Sequence, residues 1–500
     1  MKIKYPLYLC CILFVLASCK KDKISVIQEA SPPVQTASGL SVSNVLQSNM
    51  VIQRNKPLLL SGFAPALDTV TVNVSWSNVL LRTKADASGS WHISTPVGGA
   101  NSSPQSIKIT SAGLPGIELS NILIGDVWVC SGQSNMVMQV DSIPPFQGVT
   151  NYKQEIAAAD YPAIRAITVQ PSYRNGPVDS LISPAQWVVC SPQTVGDISG
   201  VAYYFARKLN LSLNVPIGII VSAVDGTYCE DWTSQLTFQN NPAIANYSNI
   251  NAATQLYNGM ISPFTKLSVT GFIWYQGENN KNDNPVSGYT TLNSDMIAGW
   301  RTAFNQPELP FYFVQMTPFA QDYFTTTPVG GNLASDSYAK FREAQANVLT
   351  VQNTGMAVTM DVGVPDDQHP PNKKPVGERL ALLALKNNYG QNVPCYGPQY
   401  AAFSASSNTV TITFKAGTST GLNTINNAPI KQYFYIAGNN HVFIQASAQI
   451  NNDEIILTAP SSFALPVVAV RYAFTEAPVT NLQNAAGLPM EPFRTDSWDN

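Results

Sequence analysis

Residues 125–136 read Gly125-Asp-Val-Trp-Val-Cys-Ser-Gly-Gln-Ser-Asn-Met136. The apolar run Val127-Trp-Val-Cys is typical of a buried strand. It passes directly into the small and polar residues Ser131-Gly-Gln-Ser-Asn135, which are typical of a loop. The stretch therefore predicts a strand that carries a serine at its carboxyl end.

Three further apolar runs end in the same way. They are Ile217-Gly-Ile-Ile-Val before Ser222-Ala-Val-Asp-Gly-Thr227, Gly271-Phe-Ile-Trp-Tyr before Gln276-Gly-Glu-Asn-Asn280, and Met356-Ala-Val-Thr-Met before Asp366-Asp-Gln-His-Pro370. In an open parallel sheet, ligands bind beyond the carboxyl ends of the strands. The sequence therefore predicts that four polar loops meet at one rim.

Amphipathic helices alternate with these strands over residues 121–390. Apolar residues share a helical face at Val201, Tyr204, Phe205 and Leu209, at Tyr289, Leu292, Met296 and Trp300, and at Val376, Leu380 and Leu383. This alternation predicts an α/β fold with a parallel sheet flanked by helices on both faces. Short alternating segments in residues 39–120 predict an N-terminal β-sandwich. Residues 391–500 return to β segments and predict a C-terminal β-rich region.

The four loops contain the residue types that acyl transfer requires. A serine attacks a carbonyl when a base removes its proton, and histidine is the usual base. Ser134 is the predicted nucleophile and His369 its base, since His369 is the one histidine in the α/β region. The backbone N–H groups of Ser134 and Gly226, with the side-chain amide of Gln276 or Asn280, are candidate donors to the oxyanion.

The signature of the α/β-hydrolases is absent at the nucleophile, because Met136 occupies the second glycine position of a GxSxG elbow. The quoted stretch instead resembles the nucleophile block of the SGNH hydrolase superfamily, and more narrowly of the sialate O-acetylesterase family. Trp274-Tyr-Gln-Gly-Glu278 resembles that family's third block, and His369-Pro-Pro-Asn-Lys373 with Val376-Gly-Glu-Arg-Leu380 resembles its histidine block. Similar motifs outside the site extend the resemblance to nearly the whole mature chain: Asn49-Met-Val-Ile-Gln53, Arg342-Glu-Ala-Gln345 and Gly487-Leu-Pro-Met-Glu-Pro-Phe-Arg-Thr-Asp496.

The resemblance implies an SGNH-type esterase that hydrolyses O-acetyl groups on sialic acids or sialylated glycans through an acyl-enzyme. An acetyl-xylan or other polysaccharide acetylesterase would use the same residues, so it remains an alternative. A third alternative is an inactive glycan-binding lipoprotein. The intact serine and histidine set argues against it, since binding alone needs no activated serine.

The chain departs from the family pattern in the second block, where Val224-Asp-Gly-Thr227 stands in place of a typical Trp-Gly-Gly-Thr. Gly226 keeps the oxyanion position, and Asp225 adds a carboxylate. Asp367 fits the family's Asp-x-His-Pro spacing and Asp366 the superfamily's Asp-x-x-His; we favour Asp367 as the acid partner. For the third oxyanion donor we favour Gln276 over Asn280.

Three further residues are assigned to substrate binding, namely Gln133, Glu278 and Trp232. Glu278 could equally hydrogen-bond the loops, as could Glu230. Trp232 could form a sugar-stacking wall or belong to the core.

The N-terminus predicts export. Lys2 and Lys4 precede an apolar run that is too short to span a bilayer and that leads to Leu16-Ala-Ser-Cys19. This pattern resembles the bacterial lipobox. It predicts a signal peptide over residues 1–18, lipidation at Cys19, and a tether over residues 19–38. The protein would then be an exported lipoprotein of the periplasm or outer membrane that meets the membrane only through this lipid.

The composition limits the partners. The formal net charge is −3, with 28 basic and 31 acidic residues, which gives no electrostatic case for binding nucleic acid. The four cysteines of the body, Cys130, Cys190, Cys229 and Cys395, have no CxxC spacing, so no metal site is expected. No cofactor is expected, and an acetylated carbohydrate is the predicted partner.

Overall fold

The computed structural model describes residues 39–250, 252–283, 285–320 and 337–498. The predicted signal peptide, the tether and Cys19 lie outside these ranges. Within them, no helix combines the length and the apolarity needed to cross a membrane.

The N-terminal region contains two mainly antiparallel sheets around a shared core. Its strands are β1 (Ser41–Val42), β2 (Val51–Gln53), β3 (Leu58–Phe63), β4 (Thr69–Val74), β5 (Leu81–Lys84), β6 (Ser90–Thr95), β7 (Asn101–Ser111) and β8 (Ile117–Gly132). One sheet has the order β1-β3-β6, and the other joins β5, β4, β7 and the first half of β8. Leu60 and Trp91 of the first sheet are buried in the same apolar cluster as Val72 and Ile109 of the second.

β8 continues without a break into the central sheet, so the predicted boundary at residue 120 falls inside one 16-residue strand. The remaining strands of the sheet are β9 (Tyr161–Thr168), β10 (Val188–Cys190), β11 (Ile217–Ala223), β12 (Gly271–Tyr275), β13 (Phe311–Val314) and β14 (Thr354–Ala357). The order is β10-β9-β11-β8-β12-β13-β14. Every pair is parallel except β10 with β9.

Helices cover both faces of this sheet. Their bounds are Ser134–Val137, Tyr152–Ala157, Gly200–Leu213, Gln235–Asn240, Gly288–Ala303, Ser337–Asn347 and Lys373–Asn387. The predicted apolar faces are buried: Val201 and Leu380 pack on one side of the sheet, Leu292 and Trp300 on the other. The predicted sheet with two covered faces is confirmed, and it is parallel except at the edge strand β10. The helix that carries Val376, Leu380 and Leu383 begins at Lys373.

The C-terminal region is built from small antiparallel sheets. Its strands are β15 (Tyr400–Ser406), β16 (Thr409–Phe414), β17 (Asn423–Thr424), β18 (Phe434–Ala437), β19 (Phe443–Gln445), β20 (Ser447–Asn451), β21 (Glu454–Thr458), β22 (Ala469–Tyr472), β23 (Leu482–Gln483) and β24 (Phe493–Arg494). Two four-stranded sheets have the orders β15-β16-β21-β20 and β19-β18-β22-β24. Their inward residues form one apolar cluster that includes Met360, next to the loop that carries His369.

Candidate active site

Ser134 lies at the end of β8, as the first residue of the helix Ser134–Val137. The approach to it is close-packed: Gly132 has a φ of +140°, and a Cβ there would lie 2.0 Å from the carbonyl oxygen of Tyr275 at the end of β12. That carbonyl accepts a hydrogen bond from the backbone N–H of Gln133 (3.0 Å). Only glycine allows the two strand ends to approach this closely, and the nucleophile loop is thereby fixed against the third loop.

His369 lies in the loop between β14 and the helix Lys373–Asn387, and its Nε2 is 2.8 Å from Ser134 Oγ. The ring packs edge to face against Phe146, with the centroids 5.1 Å apart. Burial lowers the pKa of His369, and the Lys373 ammonium lowers this pKa further, whereas the carboxylates of Asp225 and Asp367 act in the opposite direction. A lowered pKa keeps the imidazole neutral at neutral pH, which is the form that accepts the proton of a serine.

The two carboxylates of the histidine loop have different surroundings. Asp367 Oδ1 accepts a hydrogen bond from the backbone N–H of His369 (2.8 Å), and its Oδ2 accepts one from Gln147 Nε2 (3.1 Å). Asp366 is exposed, and in the described part of the chain its carboxylate makes no hydrogen bond to His369. Asp367 therefore orients the main chain of the histidine loop rather than the imidazole ring.

Gln276 and Asn280 are buried with their amides already in use. Gln276 Nε2 donates to the Thr227 carbonyl (3.2 Å) and to Asn280 Oδ1 (2.7 Å). Asn280 Nδ2 donates to Glu230 Oε2 (2.9 Å) and to Asp283 Oδ2 (3.1 Å). Both side chains thus brace the third loop, and an oxyanion would have to displace one of these bonds to reach them.

Gly226 and Asn279 lie at the accessible side of the rim. Gly226 is exposed, with a φ of +68°, and its carbonyl accepts a hydrogen bond from Asn279 Nδ2 (2.7 Å). Asn279 is half-buried, and an amide has two donor hydrogens. Because Ser134 is the first residue of its helix, its N–H has no intrahelical acceptor. Among the residues that the structure describes, the backbone N–H groups of Ser134 and Gly226 have no hydrogen-bond acceptor, and Asn279 Nδ2 has a second hydrogen to donate.

The three residues assigned to substrate binding are buried. Gln133, in the orientation that satisfies both ends of its amide, donates to the Thr227 carbonyl (3.2 Å) and to Glu278 Oε2 (3.1 Å). Glu278 accepts a hydrogen bond from Asn135 Nδ2, and burial raises the pKa of its carboxyl group. Trp232 is fully buried and donates through Nε1 to Thr227 Oγ1 (3.0 Å). Their contacts support the loops around the serine.

Asn279, Asn135 and Lys373 were not singled out from the sequence. Each lies inside a motif quoted there: Asn279 in the third block, Asn135 directly after the nucleophile, and Lys373 at the end of the histidine block. Their position as polar residues inside motifs whose loops converge was the sequence signal that could have identified them as site residues.

The cysteines and the groups that could bind a metal ion do not add to the reactive residues of the site. All four cysteines of the body are free thiols, and burial raises the pKa of Cys130 well above its usual range, which makes it a poor nucleophile. Within the ranges given above, histidine, cysteine and carboxylate side chains form no group of three or more that could hold a metal ion.

The chain resembles known esterases over much of its length. A family model described as a carbohydrate esterase, sialic acid-specific acetylesterase, matches residues 124–386. A solved carbohydrate acetylesterase from Xanthomonas citri is 32% identical, with a TM-score of 0.81, over 92% of this chain and 100% of that one.

Curated relatives named sialate O-acetylesterase add to this. The Pongo abelii protein is 29% identical over 314 residues, which cover 56% of this chain and 57% of that one. The Rattus norvegicus protein is 27% identical over 435 residues, covering 72% and 76%. The chain thus spans less than three fifths of the length of the Pongo abelii and Homo sapiens relatives. The matched family model includes both Ser134 and His369, and the chain belongs to the carbohydrate esterase family of sialic acid-specific acetylesterases.

Proposed function

We propose that this protein is a serine carboxylic ester hydrolase that removes O-acetyl groups from sialic acids or sialylated glycans. The observation that carries the proposal is the 2.8 Å contact between Ser134 Oγ and His369 Nε2 at the carboxyl edge of the parallel sheet. Membership of the sialic acid-specific acetylesterase family supports the choice of substrate.

The reaction proceeds in two halves. Ser134 Oγ attacks the acetyl carbonyl while His369 Nε2 takes the hydroxyl proton, and the tetrahedral intermediate then expels the sugar oxygen, which receives that proton from the imidazolium. The products are a free sugar hydroxyl and an acetyl ester on Ser134. Water, activated by the same imidazole, attacks this ester and releases acetate. No cofactor enters either half.

The negative charge of each intermediate falls on the former carbonyl oxygen. We assign its stabilisation to the backbone N–H groups of Ser134 and Gly226 and to Asn279 Nδ2. Asn279 Nδ2 spends one hydrogen on the Gly226 carbonyl and has a second to donate, whereas both amide hydrogens of Gln276 and of Asn280 are already donated. The imidazolium is favoured by the carboxylates of Asp225 and Asp367, which raise the pKa of His369 against the effect of burial.

A neutral acetylated polysaccharide such as acetyl-xylan is the second candidate substrate, and the contacts of three arginines of the α/β region support it. A sialic acid carboxylate is best recognised by an arginine fork. Arg301 donates to the carbonyls of Leu309, Gln352 and Asn353, Arg342 donates to those of Thr475 and Glu476, and Arg379 forms a bidentate pair with Asp361. Asp225 adds a negative charge beside Gly226, which a neutral sugar tolerates better than an anionic one.

Acetate release from a matched panel tests the proposal. Wild type and Ser134→Ala are compared on O-acetylated sialic acid, acetyl-xylan and an activated aryl acetate. The proposal expects wild-type activity on all three, the highest kcat/KM on sialic acid, and loss of activity in the variant. A higher kcat/KM on acetyl-xylan would move the assignment to the second candidate. Activity that survives Ser134→Ala would refute the esterase mechanism.

We also propose that the protein is exported and anchored by a lipid at Cys19, on the basis of the apolar run followed by Leu16-Ala-Ser-Cys19. Mass spectrometry of the mature N-terminus, with Cys19→Ser as the control, tests this. A mature chain that begins beyond Cys19 would refute it.

A further inference from the structure

Lys373 is a buried cation at an unfavourable position. It is the first residue of the helix Lys373–Asn387, and it is only 1% exposed. An ammonium group there faces the positive end of the helix dipole, and burial removes its hydration. The next residue, Lys374, is exposed. A fold that retains a charge at a cost of this kind usually does so at a functional site.

Lys373 is linked by hydrogen bonds to the loop that carries Ser134 and to the loop that carries His369. Its Nζ donates a hydrogen bond to Asn135 Oδ1. Asn135 Nδ2 donates in turn to Glu278 Oε1 and to the carbonyl of Gln368 (3.0 Å). Asn135 directly follows the nucleophile, and Gln368 directly precedes His369. One side-chain amide, held by the Lys373 ammonium, thus ties the nucleophile loop to the histidine loop.

The charge of Lys373 also acts on the imidazole. Burial lowers the pKa of Lys373 to about 7, with the Glu278 and Asp367 carboxylates opposing this shift. The ammonium is therefore fully charged in mildly acidic solution, where a histidine ordinarily loses its function as a base. There it adds to burial in lowering the pKa of His369, whereas the carboxylates of Asp225 and Asp367, the other charges that act on the ring among the described residues, raise this pKa.

We propose that Lys373 is a positioning residue of this esterase: through Asn135 it holds the nucleophile and histidine loops in register, and from that position its charge acts on His369. The inference rests on the proposed function and names a further residue of the same site. It concerns a group that does not touch the substrate and acts through Asn135 and the imidazole.

Lys373→Met removes the charge and keeps a similar unbranched side chain, and Lys374→Met is the matched control one residue away. The experiment measures kcat and KM on an activated aryl acetate from pH 4.5 to 9. For Lys373→Met we expect kcat to fall about tenfold with KM little changed, and the acidic limb of kcat/KM to move to higher pH. The loss relative to wild type should then be roughly threefold larger at pH 5.5 than at pH 8. Lys374→Met should follow wild type.

An acidic limb of Lys373→Met that coincides with that of Lys374→Met would overturn the proposal. Lys373→Arg keeps a cation at every pH in the range, so its acidic limb should stay at the wild-type position or lie below it. A limb displaced to higher pH in the arginine variant would also overturn the proposal, even where the methionine variant fails to fold. A wild-type protein without Ser134-dependent hydrolysis would instead refute the proposed function itself.

Discussion

Replacement of Gly132 by alanine would separate two strand ends that now touch. The new Cβ would lie 2.0 Å from the carbonyl oxygen of Tyr275 and 2.7 Å from its carbonyl carbon. Close carbon–oxygen contacts in proteins are about 3.3 Å, so one of the two strand ends must move by roughly 1 Å. That carbonyl also anchors the backbone N–H of Gln133, and the displacement therefore passes directly to Ser134.

Two effects add to the loss of stability. A non-glycine residue at a φ of +140° costs about 1–3 kcal/mol, and the lost backbone hydrogen bond costs about 1 kcal/mol more. We expect the free energy of unfolding to fall by about 2–4 kcal/mol. A misplacement of about 1 Å at a reacting group can cost on the order of 10²-fold in rate, so kcat/KM should fall by about that factor.

Chemical denaturation and aryl acetate hydrolysis measure the two quantities. Gly113→Ala is the matched control, because Gly113 also has a positive φ (+72°) but has nothing within 4 Å of its would-be Cβ. It should lose about 1 kcal/mol of stability and no activity. If Gly132→Ala keeps kcat/KM within threefold of wild type, the close approach of the strands does not position the nucleophile.

Three further experiments test the site. His369→Ala should lower kcat by about 10³-fold or more in steady-state assays. The ring of His441 stacks on the indole of Trp498, and His441→Ala should leave kcat unchanged. Equal losses in the two variants would contradict a single catalytic histidine. Asp367→Asn should lower kcat/KM by about 10- to 100-fold, because a charge-assisted hydrogen bond is worth about 1.5–3 kcal/mol. Asp366→Asn should have a smaller effect; the reverse order would make Asp366 the acid partner. Asn279→Ala should lower kcat by about 10²-fold with KM little changed, as for other oxyanion donors; an unchanged kcat would remove it from that role.

The sequence predicted β8, β11 and β12 of the central sheet because each contains a fully buried apolar run. The run predicted at Met356–Met360 overlaps β14 only at Met356 and Ala357, and the less completely buried strands β9 and β10 were not predicted. The run Gly271-Phe-Ile-Trp-Tyr became β12 with every residue buried. The carboxyl ends of neighbouring parallel strands meet at one edge, so Ser134 and His369 could be paired across 235 residues. Asn121, with a φ of +56° inside β8, resembles a turn residue in sequence, which explains why one strand was divided between two regions.

The donors to the oxyanion could not be chosen from sequence. Gln276 and Asn279 lie in one short polar run, and either amide could reach the rim. The choice depends on hydrogen bonds to residues that are distant in sequence. Gln276 Nε2 donates to the buried Thr227 carbonyl, whereas Asn279 Nδ2 donates to the carbonyl of the exposed Gly226. Residue type and spacing specify which loops converge, whereas the use of each amide depends on tertiary packing.

Because β8 belongs to both the N-terminal sheet and the central sheet, the same strand supports the N-terminal region and positions the nucleophile. The first half of β8 pairs with β7 and β2, and the second half pairs with β11 and β12. Fraying of the early half would expose unpaired backbone at the centre of the molecule, which is costly. The two regions should therefore melt as one cooperative unit. A fragment cut at residue 121 would lose part of the strand on which its own reactive serine depends.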